Sequence, residues 1–129
     1  MGSKSDYLEN KILDHVLKNT AYTSPTTVYV ALYTATPSDT GGGTQCTGTG
    51  YARVAATFGA ASGGSSSNSA AVDFGTAGAA NWGTLTSFGI FDASTNGNLL
   101  YWGALTANKT PASGDNVKFA IGDLVVTED

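Results

Sequence analysis

The chain has 129 residues, of which 41% are hydrophobic and only 12% are charged. This length suits a single domain with its own core, and a net charge of −4 with only six Lys and Arg argues against a nucleic-acid binder. The single cysteine, Cys46, excludes an intramolecular disulfide framework and a multi-cysteine metal site, and we expect an unreactive thiol.

The first predicted element is a helix. Asp6 and Glu9 form an Asp-x-x-Glu capping box at its start, and Asn19 suits the position just beyond its end. An apolar stripe with one histidine recurs at helical spacing: Leu8, Ile12, Leu13, His15, Val16 and Leu17. We therefore assign residues 1–20 to a helix that packs on the domain or on a partner, and residues 21–129 to a β-domain.

No signal peptide or membrane-spanning run is visible, so we expect a protein made in the cytoplasm of its host, without a membrane partner.

Short runs with period-two alternation follow the helix. The predicted strands are Thr27–Ala35, Tyr51–Phe58, Ala70–Phe74, Thr84–Phe91, Leu99–Leu105, Asn116–Ile121 and Leu124–Thr127. The segments Ser38–Gly50 and Gly59–Asn68 are rich in small residues and are predicted as loops. Asn96-Gly97 predicts a hairpin. The pattern indicates an all-β fold: an antiparallel two-sheet sandwich, jelly-roll-like, with seven or eight short strands and one N-terminal helix.

The stretch that starts at Asp92 has the register of a calcium loop, with Ser94, Asn96 and Gly97 in place. The twelfth position is Gly103 rather than a bidentate Glu, and strands rather than helices flank the loop. We interpret Asp92 and Asn96 as turn formers that bond local backbone amides, and we expect no metal site.

The sequence contains few of the residue combinations that catalysis requires. His15 is the only histidine, so Ser–His–Asp and zinc arrangements lack a member. The glycine-rich run at 41–50 lacks the ending of a phosphate-binding loop. A glycosidase carboxylate pair stays open among Asp39, Asp73, Asp92, Asp115 and Asp123, although a solvated turn role suits each better. We expect no enzyme, no catalytic residue and no cofactor.

Aromatic side chains gather around the predicted hairpin. Because neighbouring residues of a strand point to opposite faces, either Tyr101 or Trp102 can leave the core. An exposed ring there would stack on a sugar or anchor a protein interface, whereas core packing is the alternative. Besides the Ser38–Gly50 loop, the candidate interface residues are Tyr7, Leu8, Ile12, His15, Trp82, Tyr101 and Trp102.

Three stretches carry a family resemblance over nearly the whole chain: SDYLENKILDHVLKNTAYTSPTTVYVALYTATP, YARVAATFGAASGG and WGTLTSFGIFDASTNGNLLYWGALTANKTPASGD. They resemble small tailed-phage virion proteins, labelled tail-fibre-like or identified as capsid decoration (cement) proteins. The resemblance implies a virion structural protein. The leading hypothesis is a homodimeric or homotrimeric decoration protein that docks outside the head and bridges major capsid protein subunits. The alternative is a tail or tail-fibre component that recognises host surface glycans through the aromatic residues.

Overall fold

The computed structural model describes residues 2–76 and 82–128. Within these ranges it contains one helix, α1 (Asp6–Leu17), and ten strands. The strands are β1 (Gly2–Lys4), β2 (Val28–Ala35), β3 (Thr44–Gln45), β4 (Val54–Ala56), β5 (Ser65–Ser67), β6 (Val72–Thr76), β7 (Leu85–Phe91), β8 (Leu99–Lys109), β9 (Asn116–Phe119) and β10 (Val125–Thr127).

The strands form one main sheet and two short ribbons. The main sheet has the order β1-β8-β7-β2-β3, and β4 also pairs with β2. The ribbons are β10-β5 and β6-β9, and every pairing is antiparallel. The prediction of an all-β sandwich with one N-terminal helix is confirmed; the jelly-roll-like arrangement and the division at residue 20 stay predictions.

The main core lies between the sheet and the ribbons. Alternate residues of β2 and β7 point into it, including Val30, Leu32 and Phe88, which are at most 2% exposed. Val72 and Phe119 reach the same core from the β6-β9 ribbon. A smaller cluster on the opposite face of the sheet consists of Ala31, Tyr33, Phe91 and Leu99. Strand alternation therefore serves two hydrophobic clusters at once, so the central strands are buried on both sides.

A buried amide joins the two ribbons. Asn68 follows β5, and its Nδ2 donates to the carbonyl oxygens of Ala70 and Ala120, each at 2.9 Å. Its Oδ1 accepts the N–H of Leu124 at 2.9 Å. These partners precede β6, follow β9 and precede β10, so one side chain ties the ribbons into a single layer.

The N-cap lies one residue earlier than predicted, and Gly2–Lys4, within the segment assigned to the helix, form strand β1. Ser5, not Asp6, is the N-cap: its Oγ accepts the N–H of Leu8 at 3.2 Å and also donates to the carbonyl of Leu99. Ser5 is buried because β1 joins the edge of the main sheet and pulls the cap against β8. Asn19 adopts a φ of 56° beyond the helix end, as predicted for a left-handed terminating residue.

The predicted hairpin is confirmed, with β7 and β8 paired antiparallel. Its loop is longer than a two-residue turn, and Asn96 and Gly97 supply two consecutive left-handed residues, with φ of 54° and 74°. Asp92 closes the loop because its Oδ1 accepts the N–H of Asn98 at 2.7 Å and its Oδ2 accepts the Asn98 Nδ2 at 3.0 Å. This is the turn-forming role predicted for Asp92.

Three local predictions are wrong. β5 lies inside the predicted Gly59–Asn68 loop, where serines pair with β10 through the backbone alone. β3 lies inside the predicted Ser38–Gly50 loop. The predicted strand Asn116–Ile121 is too long: β9 ends at Phe119 and a turn follows, so Ile121 is 68% exposed.

Close packing at Gly89 leads to a first prediction. A Cβ there would lie 2.9 Å from Tyr33 Cε1 and 3.0 Å from Leu99 Cδ1, both in the smaller cluster. Gly89→Ala is expected to lower the free energy of unfolding by about 1–3 kcal/mol through overpacking. Gly59→Ala is the control, since its Cβ would have 3.9 Å to the nearest atom and should change stability by less than about 1 kcal/mol. Urea denaturation measures both, and equal losses would contradict this packing argument.

A second prediction concerns the amide between the ribbons. Asn68→Ala leaves the N–H of Leu124 and two carbonyl oxygens without the side-chain partner that each now has. Only the N–H of Leu124 becomes an unpaired buried group, since Ala70 and Ala120 are exposed and the Ala120 carbonyl still accepts the N–H of Asp123. Because one such group costs about 1–3 kcal/mol, the free energy of unfolding should fall by about that amount. Asn108→Ala, at an exposed position of β8, should change it by less than about 0.5 kcal/mol. Calorimetry on the two variants decides the point.

Candidate interaction surfaces

The helix α1 exposes most of its apolar stripe. Leu8 is only 4% exposed, whereas Leu13, Val16 and Leu17 are 53%, 69% and 78% exposed. Their spacing of three and four residues places them on one face of the last two turns. We call Leu13, Val16 and Leu17 the helix face. The sequence predicted that this helix packs on the domain or on a partner. Within the described residues its last two turns present these side chains to solvent.

Other predicted interface residues of the helix lie around this face. Ile12 is half-buried and His15 is exposed. The Nδ1 of His15 accepts the N–H of Tyr22 at 3.3 Å, so the imidazole supports the chain segment that leaves the helix. Tyr7 is half-buried, and the Lys11 Nζ lies 5.7 Å from the centre of its ring.

Two predicted contact residues belong to the core of this chain instead. Leu8 and Trp82 are 4% and 1% exposed, which leaves neither side chain accessible to a partner or a sugar. The Trp82 ring meets Tyr51 edge-on at 5.6 Å, and its Nε1 donates to the carbonyl of Thr49 at 2.7 Å. Trp82 was misplaced because an aromatic residue in a Gly/Ala-rich context shows no periodicity that would indicate its burial.

Tyr101 and Trp102 point to opposite faces of β8, as predicted. Tyr101 packs against the main core and Trp102 against the smaller cluster, and both are half-buried. The Tyr101 hydroxyl donates to Glu128 Oε2 at 2.8 Å, and Glu128 also pairs with Lys4. Burial, and next the Glu128 carboxylate, raise the pKa of Tyr101.

The indole Nε1 of Trp102 donates to Asp39 Oδ1 at 3.0 Å. Both aromatic side chains are therefore held in place by a carboxylate.

Arg53 organises a network that sequence reasoning missed. Its guanidinium lies 3.6 Å from the centre of the Phe91 ring, and its NH1 donates to the carbonyl oxygens of Ala93 and Asn96 at 3.0 and 2.8 Å. Its Nε donates to Gln45 Oε1 at 3.0 Å. The available signal was a lone cation in the otherwise apolar YARVAATF run, since a partly buried charge needs partners.

Tyr51 continues this network into the core. Its hydroxyl accepts the N–H of Leu32 at 3.0 Å and donates to Gln45 Oε1 at 3.0 Å. Burial raises the pKa of Tyr51 to about 12, against an opposing effect of the hydrogen bond from Leu32. The network thus runs from β2 through Tyr51, Gln45 and Arg53 to the hairpin loop.

A cleft of about 610 Å³ with both polar and apolar walls lies beside this network. Its walls come from the start of α1, the Ser38–Gly50 loop and the hairpin loop, so part of that predicted contact loop does line a cavity. Its polar side chains include Asp6, Asp39, Gln45, Arg53, Asn96 and Asn98. Carboxylate, amide and guanidinium groups of this kind can exchange hydrogen bonds with a polar ligand.

Three other groups that the sequence offered for chemistry, Cys46, Asp73 and Asp115, have structural roles. Cys46 is buried, and burial raises the pKa of its thiol, which therefore stays protonated and unreactive near neutral pH. Asp73 accepts the N–H of Gly75 at 2.7 Å, and this hydrogen bond lowers the pKa of the carboxyl group. Asp115 accepts the N–H of Ala112 at 2.8 Å.

Among residues 2–76 and 82–128, no group of three or more His, Cys, Asp or Glu is placed to hold a metal ion. In the same ranges no helix is long and apolar enough to cross a membrane.

Within the described residues, the β-sandwich presents an apolar helix face and clefts as accessible surfaces. The sequence matches, over residues 3–127, the model of the family described as Podophage GP4 fiber I protein gp80. The chain belongs to this family of phage virion proteins, which are tail-fibre-like, as its resemblance predicted. No curated protein matches the chain.

The Tyr51 network predicts a pH dependence. The folded state keeps the Tyr51 proton up to a pKa of about 12, whereas an unfolded tyrosine releases it at 10.0. Between these values the unfolded chain binds fewer protons, so stability is present below pH 10 and is lost as the pH rises towards 12. Tyr51→Phe cannot ionise and should show a shallower loss between about pH 10 and about pH 11.5 in denaturant titrations. An unchanged slope would show that Tyr51 does not keep its proton.

Proposed function

We propose that this protein is a structural subunit of a podophage fibre that works by being held in place, without catalysis. The observation that carries the proposal is the match over residues 3–127 to a family described as a fibre protein. Virion location follows as the expected site of such a subunit.

The helix face supports a role in contact. Leu13, Val16 and Leu17 present aliphatic side chains to water at the end of a helix whose start is anchored in the sheet edge. Full burial of each such side chain is worth about 1.5–3 kcal/mol, so covering the part now exposed would contribute to a stable contact. A partner that covers this face would fix the whole subunit, since Ser5 connects the helix start to β8.

Capsid decoration is the second candidate. It is favoured by the architecture, because the described residues form one sandwich with a contact helix at its edge rather than an elongated shaft. In that role the helix face would dock on the major capsid protein, and one subunit would bridge two capsid neighbours.

Recognition of host glycans is a further property that a fibre subunit would have. Of the three aromatic residues first considered, Trp82 is buried, so this property depends on Tyr101 and Trp102. The cleft beside the Arg53 network offers additional hydrogen-bonding groups near Trp102, because Asp39 both lines this cleft and accepts the Trp102 N–H.

Labelling of purified virions tests the proposal. Antibodies against this protein are expected to mark the tail fibres in electron micrographs. Labelling spread over the head would replace the fibre role by decoration, and the absence of the protein from purified virions would refute both.

A complementation assay connects this test to the helix face. In a phage that lacks the gene, a Leu13→Ser/Leu17→Ser variant should be incorporated at least about tenfold less than wild type, because the apolar contact is lost. Lys18→Ser, at an exposed position just beyond the helix, should be incorporated normally. Equal incorporation of both variants would show that the helix face is not the attachment surface.

A further inference from the structure

A groove with both apolar and polar walls lies at the end of β8 away from the helix. It has a volume of about 420 Å³ between the second half of β8 and the β9–β10 region. Its accessible apolar groups belong to Ala104, Leu105, Ala107 and Val125, which lie above the buried Phe88, Phe119 and Leu124. Two lysines, Lys109 and Lys118, also line it. Ile121, in the turn between β9 and β10, is 68% exposed and lies two residues from Asp123, which lines the groove.

The charge of the groove complements the charge beside the helix face. Glu9 precedes Leu13 by four residues and Asp14 precedes Leu17 by three, so both acids border the helix face. The groove is lined by two of the six Lys and Arg of a chain whose net charge is −4, and by one acid, Asp123. Lys118 is also opposite Asp73 in the β6-β9 ribbon, which leaves Lys109 as the stronger attraction for an acidic helix.

The groove and the helix lie at opposite ends of β8. The N–H of Ser5, at the helix start, donates to the carbonyl of Leu100 at 2.8 Å, whereas the groove extends from Ala104 to Lys109 along β8. Tyr101 pairs with Ile90 and Lys109 pairs with Leu85, because β8 bulges between them, so at about 3.3 Å per residue the two ends lie roughly 17 Å apart along β7. The helix face is solvent-exposed in its own chain, so an occupant of the groove has to come from elsewhere.

We propose that the helix face of one copy docks in this groove of a second copy, with Glu9 and Asp14 directed at Lys109 and Lys118. The contact places the helix face and its two bordering acids against a groove that carries two lysines. An amphipathic helix in a groove is a common mode of recognition. The two surfaces differ, so the contact is heterologous and repeats from copy to copy into a ring or an open filament. This inference rests on the proposed function and names the partner of the helix face as a second copy of the chain.

Sedimentation of the purified full chain tests the inference. One short helix buries a small interface, so self-association is expected between about 1 μM and about 1 mM and should produce species larger than dimers. Two charge-reversed variants are compared with wild type. The helix-basic variant carries Glu9→Lys and Asp14→Lys, and the groove-acidic variant carries Lys109→Glu and Lys118→Glu.

Each variant alone should associate at least about tenfold more weakly, because it places like charges together. An equimolar mixture should recover association to within about threefold of wild type, since each helix then meets a groove of opposite charge. Lys18→Glu, outside the helix face, is the matched control and should associate as wild type. Circular dichroism confirms that every variant is folded.

Three outcomes overturn the inference: a wild-type chain that stays monomeric, a groove-acidic variant that associates as wild type, or a mixture that does not recover. The second outcome would indicate helix–helix pairing, in which the groove has no part. A monomeric wild-type chain that nevertheless labels the fibre in virions would refute self-docking and leave the proposed function intact. A chain that self-associates but is absent from virions would do the reverse.

Discussion

The fold depends on one buried amide between two short ribbons. A two-stranded ribbon is marginal in water, and the β10-β5 and β6-β9 ribbons have three and three paired residue positions. Asn68 bonds chain segments next to both, so they act as one layer over the main sheet. Without that layer, the apolar residues of β2 and β7 that face it would be exposed to water.

This construction uses the large aromatic residues for stability. Trp82 and Phe88 fill the main core, and Arg53 stacks on Phe91 while it holds the hairpin loop. Among the described residues, one surface left for partners is aliphatic and lies on the helix, whose start is attached to the sheet through the buried Ser5 and Leu8. A protein whose core and contact surface consist of different residues is suited to assembly, because its contact surface can be covered without disturbing its core.

Local sequence patterns predicted where the strands lie more reliably than they predicted which residues contact each other. Alternation located β2, β7 and β8, and Asn96-Gly97 located the hairpin, because both signals depend on residues close in sequence. The same reasoning placed Trp82 at an interface and missed Arg53, since both depend on contacts 33 and 40 residues away, with Thr49 and Ala93. Serines in β5 gave no signal, because their pairing with β10 uses only backbone groups.

The order of residues alone therefore specified an all-β chain with a leading amphipathic helix, a hairpin and a family of phage virion proteins. It also set the spacing of Leu13, Val16 and Leu17, which any helix would bring to one face. Which apolar residues stay in water emerged only on folding. β1 pairs with β8 and anchors Ser5 there, so the helix buries Leu8 and leaves its last two turns uncovered. Helical periodicity predicts that the helix has an apolar face, whereas long-range strand pairing decides which part of that face is buried.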